Sequence, residues 1–410
     1  MTPQVTTLGN GLRVASAAMP HVETVAIGLH VDTGARFETA ETNGVAHLLE
    51  HMVFKGTTTR SARAIAEQIE DVGGALNAYT ARDMTVFHAR LLAADLPLGC
   101  ALIADLVQNP RFDADEIDRE RQVVLQELGE ARDTPDDIVF DHLQEAAFAG
   151  QPLGRSILGS EASLAAIGAA ELRGWLDTQY LGGSCVLVAA GRVDHDALVR
   201  LAERDFGQLP GGRRPALEPA QFTATEHHDR RRFEQAHLTL GAPAPGHHDA
   251  DFDAAMLFTT AVGGGMSSRL FQELREERGL AYSVYASTTP YADTGLFAVY
   301  MATAKRDAAR AVALAETVLA QTASGLEPAE LARAKAQLRA GLLMSLEAPG
   351  GWAEYCARQL LVHGRIAPPS EIVARIEACD VDAVRGAGAR MLRQPMARAD
   401  VGAAALKRAA

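Results

Sequence analysis

His47-Leu48-Leu49-Glu50-His51 is the segment of this chain best equipped for chemistry. It lies in the run Gly44–Phe54, which has no proline and no glycine after Gly44, and its alanine, leucine and methionine favour helix. Residues four apart on a helix project from one face about one turn apart, so the His47 and His51 imidazoles can converge. Two neutral nitrogens so placed can bind one Zn²⁺ at roughly 2.0–2.1 Å each. Glu50, three residues after His47, falls beside the same face and can take a proton from a water whose pKa zinc lowers toward about 7. The alternative is a helix whose histidines are ordinary core or surface residues. A catalytic zinc also needs three protein ligands and an open position, and two histidines are one short.

The elements around the pentad are readable from periodicity and punctuation. Leu8–Val14 predicts the start of a hairpin with Asn10-Gly11 at its turn, and Val25–Val31 a buried strand. After the pentad helix come a helix over Ser61–Asp71, capped by Ser61 and stopped at Gly73-Gly74, and strands over Leu76–Thr80 and Thr85–Leu92. Helices are expected over Asp95–Gln108, Asp113–Glu130 and Pro135–Phe148. Residues 170–206 read as helix, strand (Cys185–Ala189) and helix. Strands mixed with runs of helices indicate an α+β fold rather than a doubly wound parallel sheet.

Residues 207–232 carry Gly207, Pro210, Gly211, Gly212, Pro215 and Pro219, then His227-His228-Asp229 and three arginines, a linker composition. They divide the chain into an N-terminal domain over residues 1–206 and a C-terminal domain over 233–410. The halves resemble each other. Phe112-Asp113-Ala114-Asp115-Glu116-Ile117 matches Leu326-Glu327-Pro328-Ala329-Glu330-Leu331, and at the same offset Leu128 meets Leu342 and Pro135 meets Pro349. This indicates two tandem α+β domains arising by internal duplication. The second half has no His-x-x-Glu-His. Glu120 and Glu127, seven apart on one helix face, align there with Ala334 and Gly341. The two glutamates are either exposed acidic residues or metal-serving groups absent where the histidines are absent.

Composition narrows the functional classes. With 410 residues, 48% hydrophobic and 22% charged, the chain is an ordinary globular one, long enough for two domains. A net charge of −13 with no basic tract beyond Arg230-Arg231-Arg232 argues against nucleic-acid binding. The widely spaced Cys100, Cys185, Cys356 and Cys379 form no Cys-x-x-Cys pair and read as reduced core residues. There is no apolar run long enough to span a bilayer, and the first residues lack a secretory pattern, so a cytoplasmic protein is expected.

Four motifs together resemble the zinc peptidases of the pitrilysin, insulysin and mitochondrial processing peptidase group. They are His47-Leu48-Leu49-Glu50-His51-Met52-Val53-Phe54-Lys55-Gly56-Thr57, Gly73-Gly74-Ala75-Leu76-Asn77-Ala78-Tyr79-Thr80, Glu120-Arg121-Gln122-Val123-Val124-Leu125-Gln126-Glu127, and Leu274-Arg275-Glu276-Glu277-Arg278-Gly279-Leu280-Ala281-Tyr282-Ser283-Val284. The resemblance runs over essentially the whole chain, and the length is that of the shorter, processing-peptidase-like branch. It implies Zn²⁺ held by His47, His51 and Glu127, with Glu50 as general base and Glu120 as a supporting carboxylate. It implies that Arg275 and Tyr282 help bind substrate and stabilise the transition state, reaching the partner chain's zinc. Without the family, Arg275 reads as a surface ion-pair residue and Tyr282 as a strand core residue.

The resemblance also implies a dimer closing a chamber. Because the chain keeps both the zinc set and the arginine–tyrosine pair, a homodimer is expected. Val262–Ser268 is only a short glycine loop, with no Gly-Lys-Ser/Thr for phosphate. The strand holding Asn77, Ala78 and Tyr79 should have a free edge, to which an extended peptide can add through main-chain hydrogen bonds. The expected activity is endopeptidase cleavage of peptides or unfolded segments. The alternatives are a non-catalytic assembly subunit of the same fold and a catalytic subunit requiring a different partner chain.

Overall fold

The computed structural model describes residues 2–403. Six strands form one sheet: β1 (Gln4–Thr7), β2 (Arg13–Ala18), β3 (Thr24–Val31), β4 (Ala75–Thr80), β5 (Thr85–Leu92) and β6 (Cys185–Gly191), in the order β1-β2-β6-β3-β5-β4. Five form another: β7 (Glu226–Asp229), β8 (Ala236–Ala244), β9 (Ala281–Pro290), β10 (Gly295–Thr303) and β11 (Ala397–Val401), in the order β7-β11-β8-β10-β9. The helices of the first half are α1 (Val45–Val53), α2 (Ala62–Glu70), α3 (Leu96–Gln108), α4 (Ala114–Asp133), α5 (Pro135–Ala147), α6 (Glu161–Ala166), α7 (Ala169–Gln179) and α8 (His195–Phe206). Those of the second are α9 (Phe252–Gly263), α10 (Ala308–Gly325), α11 (Pro328–Ser345), α12 (Pro349–His363), α13 (Pro369–Ala378) and α14 (Val381–Met391).

The duplication is visible as topology. The antiparallel run β6-β3-β5-β4 recurs as β11-β8-β10-β9. Outside it, β2 pairs in parallel with β6, and β7 pairs in parallel with β11. Residues 226–229, which the sequence reading assigns to the linker, are therefore the counterpart of β2 and open the second repeat. Their alternation is hidden from a pattern search because Glu226, His227, His228 and Asp229 are all polar and all half-buried. Among the described residues no helix is long and apolar enough to cross a membrane. All four cysteines are free, three of them buried.

The compact units are not the two linear halves. One unit comprises residues 2–128, Ser156–Leu217 and Met344–Pro368; the other comprises Gly129–Arg155, Glu218–Leu343 and residues 369–403. Each repeat thus gives away the helix after its proline break. The second unit holds α5, and the first holds α12. The break between Leu217 and Glu218 falls inside the 207–232 segment read as a linker, and the exchanged α5 and α12 cut across the linear division.

In the second unit β10 is buried along its whole length, and its side chains alternate between two apolar clusters. Phe297, Val299 and Met301 pack with Phe258, Leu257 and Val312 of α9 and α10. Leu296, Ala298 and Tyr300 pack instead with Ile138, Val139 and Leu143 of α5. Burying each such large side chain contributes about 1.5–3 kcal/mol, so α5 is a structural part of this unit. In the first unit α12 covers the other sheet. The Leu360 carbonyl accepts from Arg13 of β2 at 2.6 Å, and Glu354 accepts from the Tyr79 hydroxyl of β4 at 3.2 Å.

A candidate zinc centre on the pentad helix

The first unit presents α1 with its apolar face down. Val45, Ala46, Leu48, Leu49, Met52 and Val53 are buried, while His47, Glu50 and His51 occupy the remaining, partly open face. What holds the helix is a buried carboxylate outside it. Glu38 Oε2 accepts from the Gly44 amide and Asn43 Nδ2, each at 2.8 Å, and Oε1 accepts from the Ala46 amide at 2.9 Å. These bonds satisfy helix donors that would otherwise be orphaned, with an anion at the positive end of the helix. Gly44 has φ 95 and lies against the Leu158–Gly159 backbone, so only glycine enters the helix this way. Sequence reasoning missed Glu38. Its one signal is an acidic residue shortly before a glycine-started helix.

The pentad and α4 meet. His47 Nε2 is 3.7 Å and His51 Nε2 is 3.6 Å from Glu127 Oε2, and the imidazole centroids are 4.7 Å apart. One donor atom from each of His47, His51 and Glu127 lies within 4.8 Å of the others. Donors about 2.0–2.1 Å from a tetrahedral ion sit roughly 3.4 Å apart, so the three fit a zinc ion after side-chain adjustments of an ångström or less. Burial, reinforced by His51, holds the His47 pKa down at about 4 and leaves the ring neutral, as a metal ligand must be.

Around the donors, Glu120 is buried and bridges. Its Oε2 is 3.2 Å from His51 Nδ1 and its Oε1 is 2.8 Å from Lys55 Nζ. Lys55, quoted in the sequence motif but given no role there, neutralises the buried carboxylate. Glu50 Oε2 is buried without a hydrogen-bond partner, and burial raises the Glu50 pKa against the opposing pull of bonds from Thr80. An acceptor that is desolvated and unpartnered beside the donor trio is placed to receive a proton.

The remaining sequence candidates lie on two edge strands and a π-helical segment. Asn77, Ala78 and Tyr79 are on β4, the outermost strand of the first sheet. Ala78 is buried and Asn77 is exposed, with its own Oδ1 accepting from the Ala78 amide at 2.9 Å. The Tyr79 hydroxyl is occupied by Glu354. Arg275 and Tyr282 belong to the second unit, at a π-helical segment (Phe271–Glu277) and at β9, the outermost strand of that sheet. The Arg275 guanidinium carbon is 5.1 Å from the Tyr282 ring centroid, and Tyr282 is 72% exposed, so it is not a core residue. Glu273 and Glu277 pair with Arg278, while Arg275 Nε lies 3.8 Å from Glu276 Oε1, the surface ion pair expected of it without the family.

Residues 13–161 match the family model described as Insulinase (Peptidase family M16), and residues 166–338 match Peptidase M16 inactive domain. The chain belongs to peptidase family M16. It is 36% identical to a zinc protease of Rickettsia felis over 92% of each chain, and 38% identical to one of Mycobacterium tuberculosis over 100% of this chain and 95% of that one. It is also 36% identical to the mitochondrial-processing peptidase subunit beta of Lentinula edodes, over 93% and 86% of the two chains. Two solved structures share the fold. One is titled a peptidase M16 inactive domain from Pseudomonas fluorescens, with TM-score 0.92, 23% identity and full coverage of both chains. The other is a protease from Helicobacter pylori, with TM-score 0.89, 20% identity and coverage of 98% and 99%. In this M16 chain the donor trio lies within the segment matched by the first model, and the second model's name agrees with a second repeat that lacks the pentad.

Proposed function

We propose that this chain is a zinc metalloendopeptidase acting on peptides or unfolded polypeptide segments. The observation that carries the reading is the convergence of His47, His51 and Glu127 beside the unpartnered carboxylate oxygen of Glu50. Zinc, when bound there, supplies Lewis acidity that polarises the scissile carbonyl and lowers the pKa of water toward about 7. Glu50 takes a proton from the attacking water and returns it to the departing amine as the C–N bond breaks. Glu120 orients the His51 ring through Oε2, and Lys55 pairs with its other oxygen. The outer edge of β4 receives the substrate as an added strand, so main-chain groups, not side-chain identity, dominate binding. A homodimer enclosing a chamber is proposed, with Arg275 and Tyr282 donating toward the tetrahedral oxyanion from the partner copy.

The intact donor trio disfavours a non-catalytic assembly subunit. The likeness to a subunit of mitochondrial-processing peptidase supports a second reading, in which a different partner chain completes the enzyme. Activity of the purified chain alone, with its mass in solution, separates the two. The deciding experiment is Glu50→Gln. Zinc content is expected to stay at the wild-type level while kcat on an unfolded peptide falls by about 10²–10⁴. Undiminished turnover by metal-replete E50Q protein overturns the assignment.

A further inference from the structure

The second unit holds another convergence of metal-ligand side chains, away from the pentad in sequence and unused by the reaction above. His142 and Glu145 are three apart on α5, so they share a face, and His227 reaches them from β7. One donor atom from each lies within 4.8 Å of the others. His227 Nδ1 is 3.4 Å from Glu145 Oε2, and the two imidazole rings stack with centroids 3.8 Å apart. His142 Nε2 is buried with no hydrogen-bond partner, its nearest carboxylate being Asp229 Oδ2 at 3.6 Å. We propose that His142, Glu145 and His227 form a second site for a divalent transition-metal ion such as zinc.

The chemistry of the cluster favours a cation of that class. Two imidazoles and one carboxylate suit zinc and its neighbours rather than magnesium or calcium, which take oxygen ligands. An unpartnered buried nitrogen costs free energy that a metal bond would recover. Glu145 and Asp229 bring two negative charges to the cluster. The Arg231 guanidinium, 2.8 Å from Asp229 Oδ2 through Nε, offsets one. Asp229 Oδ2 lies 3.6 Å from His142 Nε2, so it stands beside the ion's position as a further negative charge rather than behind the ring. The site borders an open cavity of about 590 Å³ lined by His142, His227 and Asp229 but also by Arg132, Arg230 and Arg231, so an ion reaches the two imidazoles past cationic side chains. Because β7 and α5 belong to one unit, the ion would pin the exchanged helix to the first strand of the second repeat.

The test is metal content, which does not depend on peptidase activity. Full-length protein is loaded with Zn²⁺, freed of unbound metal by gel filtration and analysed by emission spectrometry. Wild type is expected to retain two zinc ions per chain, the His47→Ala/His51→Ala variant one, and that variant with His142→Gln and His227→Gln none. Co²⁺ loaded into His47→Ala/His51→Ala protein should give visible d–d absorption, a readout needing no change at the second site. The proposal is overturned if His47→Ala/His51→Ala protein holds no metal and shows no cobalt band. It is equally overturned if the ion persists after both His142 and His227 are replaced in protein with a native far-UV spectrum. Loss of metal only on replacing His142 and His227, and not on replacing His47 and His51, would sink the peptidase reading and leave this one standing.

Discussion

His51 Nδ1 lies 3.2 Å from Glu120 Oε2, and this pairing turns the opposite ring nitrogen, Nε2, toward Glu127. A carboxylate behind a metal-binding imidazole selects its tautomer and raises its basicity. Glu120→Gln should therefore keep the fold and weaken zinc affinity by about 10–100-fold, measured by competition with a chromogenic chelator. Unchanged affinity would mean that Lys55, not His51, is the partner that matters to Glu120.

Glu38 anchors the start of α1 through the Gly44 and Ala46 amides, so its loss should reach the metal site through the helix. Glu38→Ala leaves those amides without their acceptor in a buried setting and Asn43 Nδ2 with only the Ser156 carbonyl. A loss of about 3 kcal/mol in unfolding free energy is expected from charge-assisted hydrogen bonds of this kind. Zinc affinity should fall with it. Urea unfolding and zinc competition on the same preparation check both, and a stable variant with normal zinc affinity would remove Glu38 from the site.

Leu143 belongs to the first half of the chain but is 1% exposed in a cluster with Leu296, Tyr300 and Ala399. Leu143→Ala should cost about 2–5 kcal/mol. Hydrogen exchange should speed up in β8, β10 and β11 rather than in β3 and β5. Faster exchange confined to the first sheet would contradict the helix exchange.

His30 is 3% exposed, and burial pulls its pKa from 6.5 down to about 4. Between those values the unfolded chain takes up a proton that the folded chain refuses. Acidification therefore destabilises the fold from about pH 6.5, and the loss is complete below about pH 4. The full effect of one such group is about 3 kcal/mol. His30→Gln should flatten the fall in urea midpoint between pH 7 and pH 4.5 relative to wild type, and an unchanged slope would assign the acid sensitivity to other groups.

Much of the site was legible because it is local. The four-residue spacing of His47 and His51 makes them neighbours on any helix, and the position of Glu50 follows from the same geometry. The seven-residue spacing of Glu120 and Glu127 likewise put both on one face of α4, and their absence from the second repeat tied them to the histidines. That Glu127, rather than any other carboxylate, stands opposite the imidazoles rested on the resemblance until α1 and α4 were seen to meet. Strands β3, β5, β6 and α3, α4, α5 were readable from apolar period and from Pro135, Gly73 and Gly74. β7 was not, since four half-buried polar residues carry no alternation.

By itself, the sequence determined the kind of elements, the duplication and the chemistry of the pentad, because helix and strand periods and a short repeat are properties of neighbouring residues. Only the tertiary structure decided that α5 and α12 cover the sheets of the opposite repeats, and that Glu38, Lys55 and Glu120 brace α1. An apolar stripe specifies that a helix must be covered, but any sheet of suitable shape can cover it. A carboxylate likewise acquires its partner only when the chain has brought distant segments together.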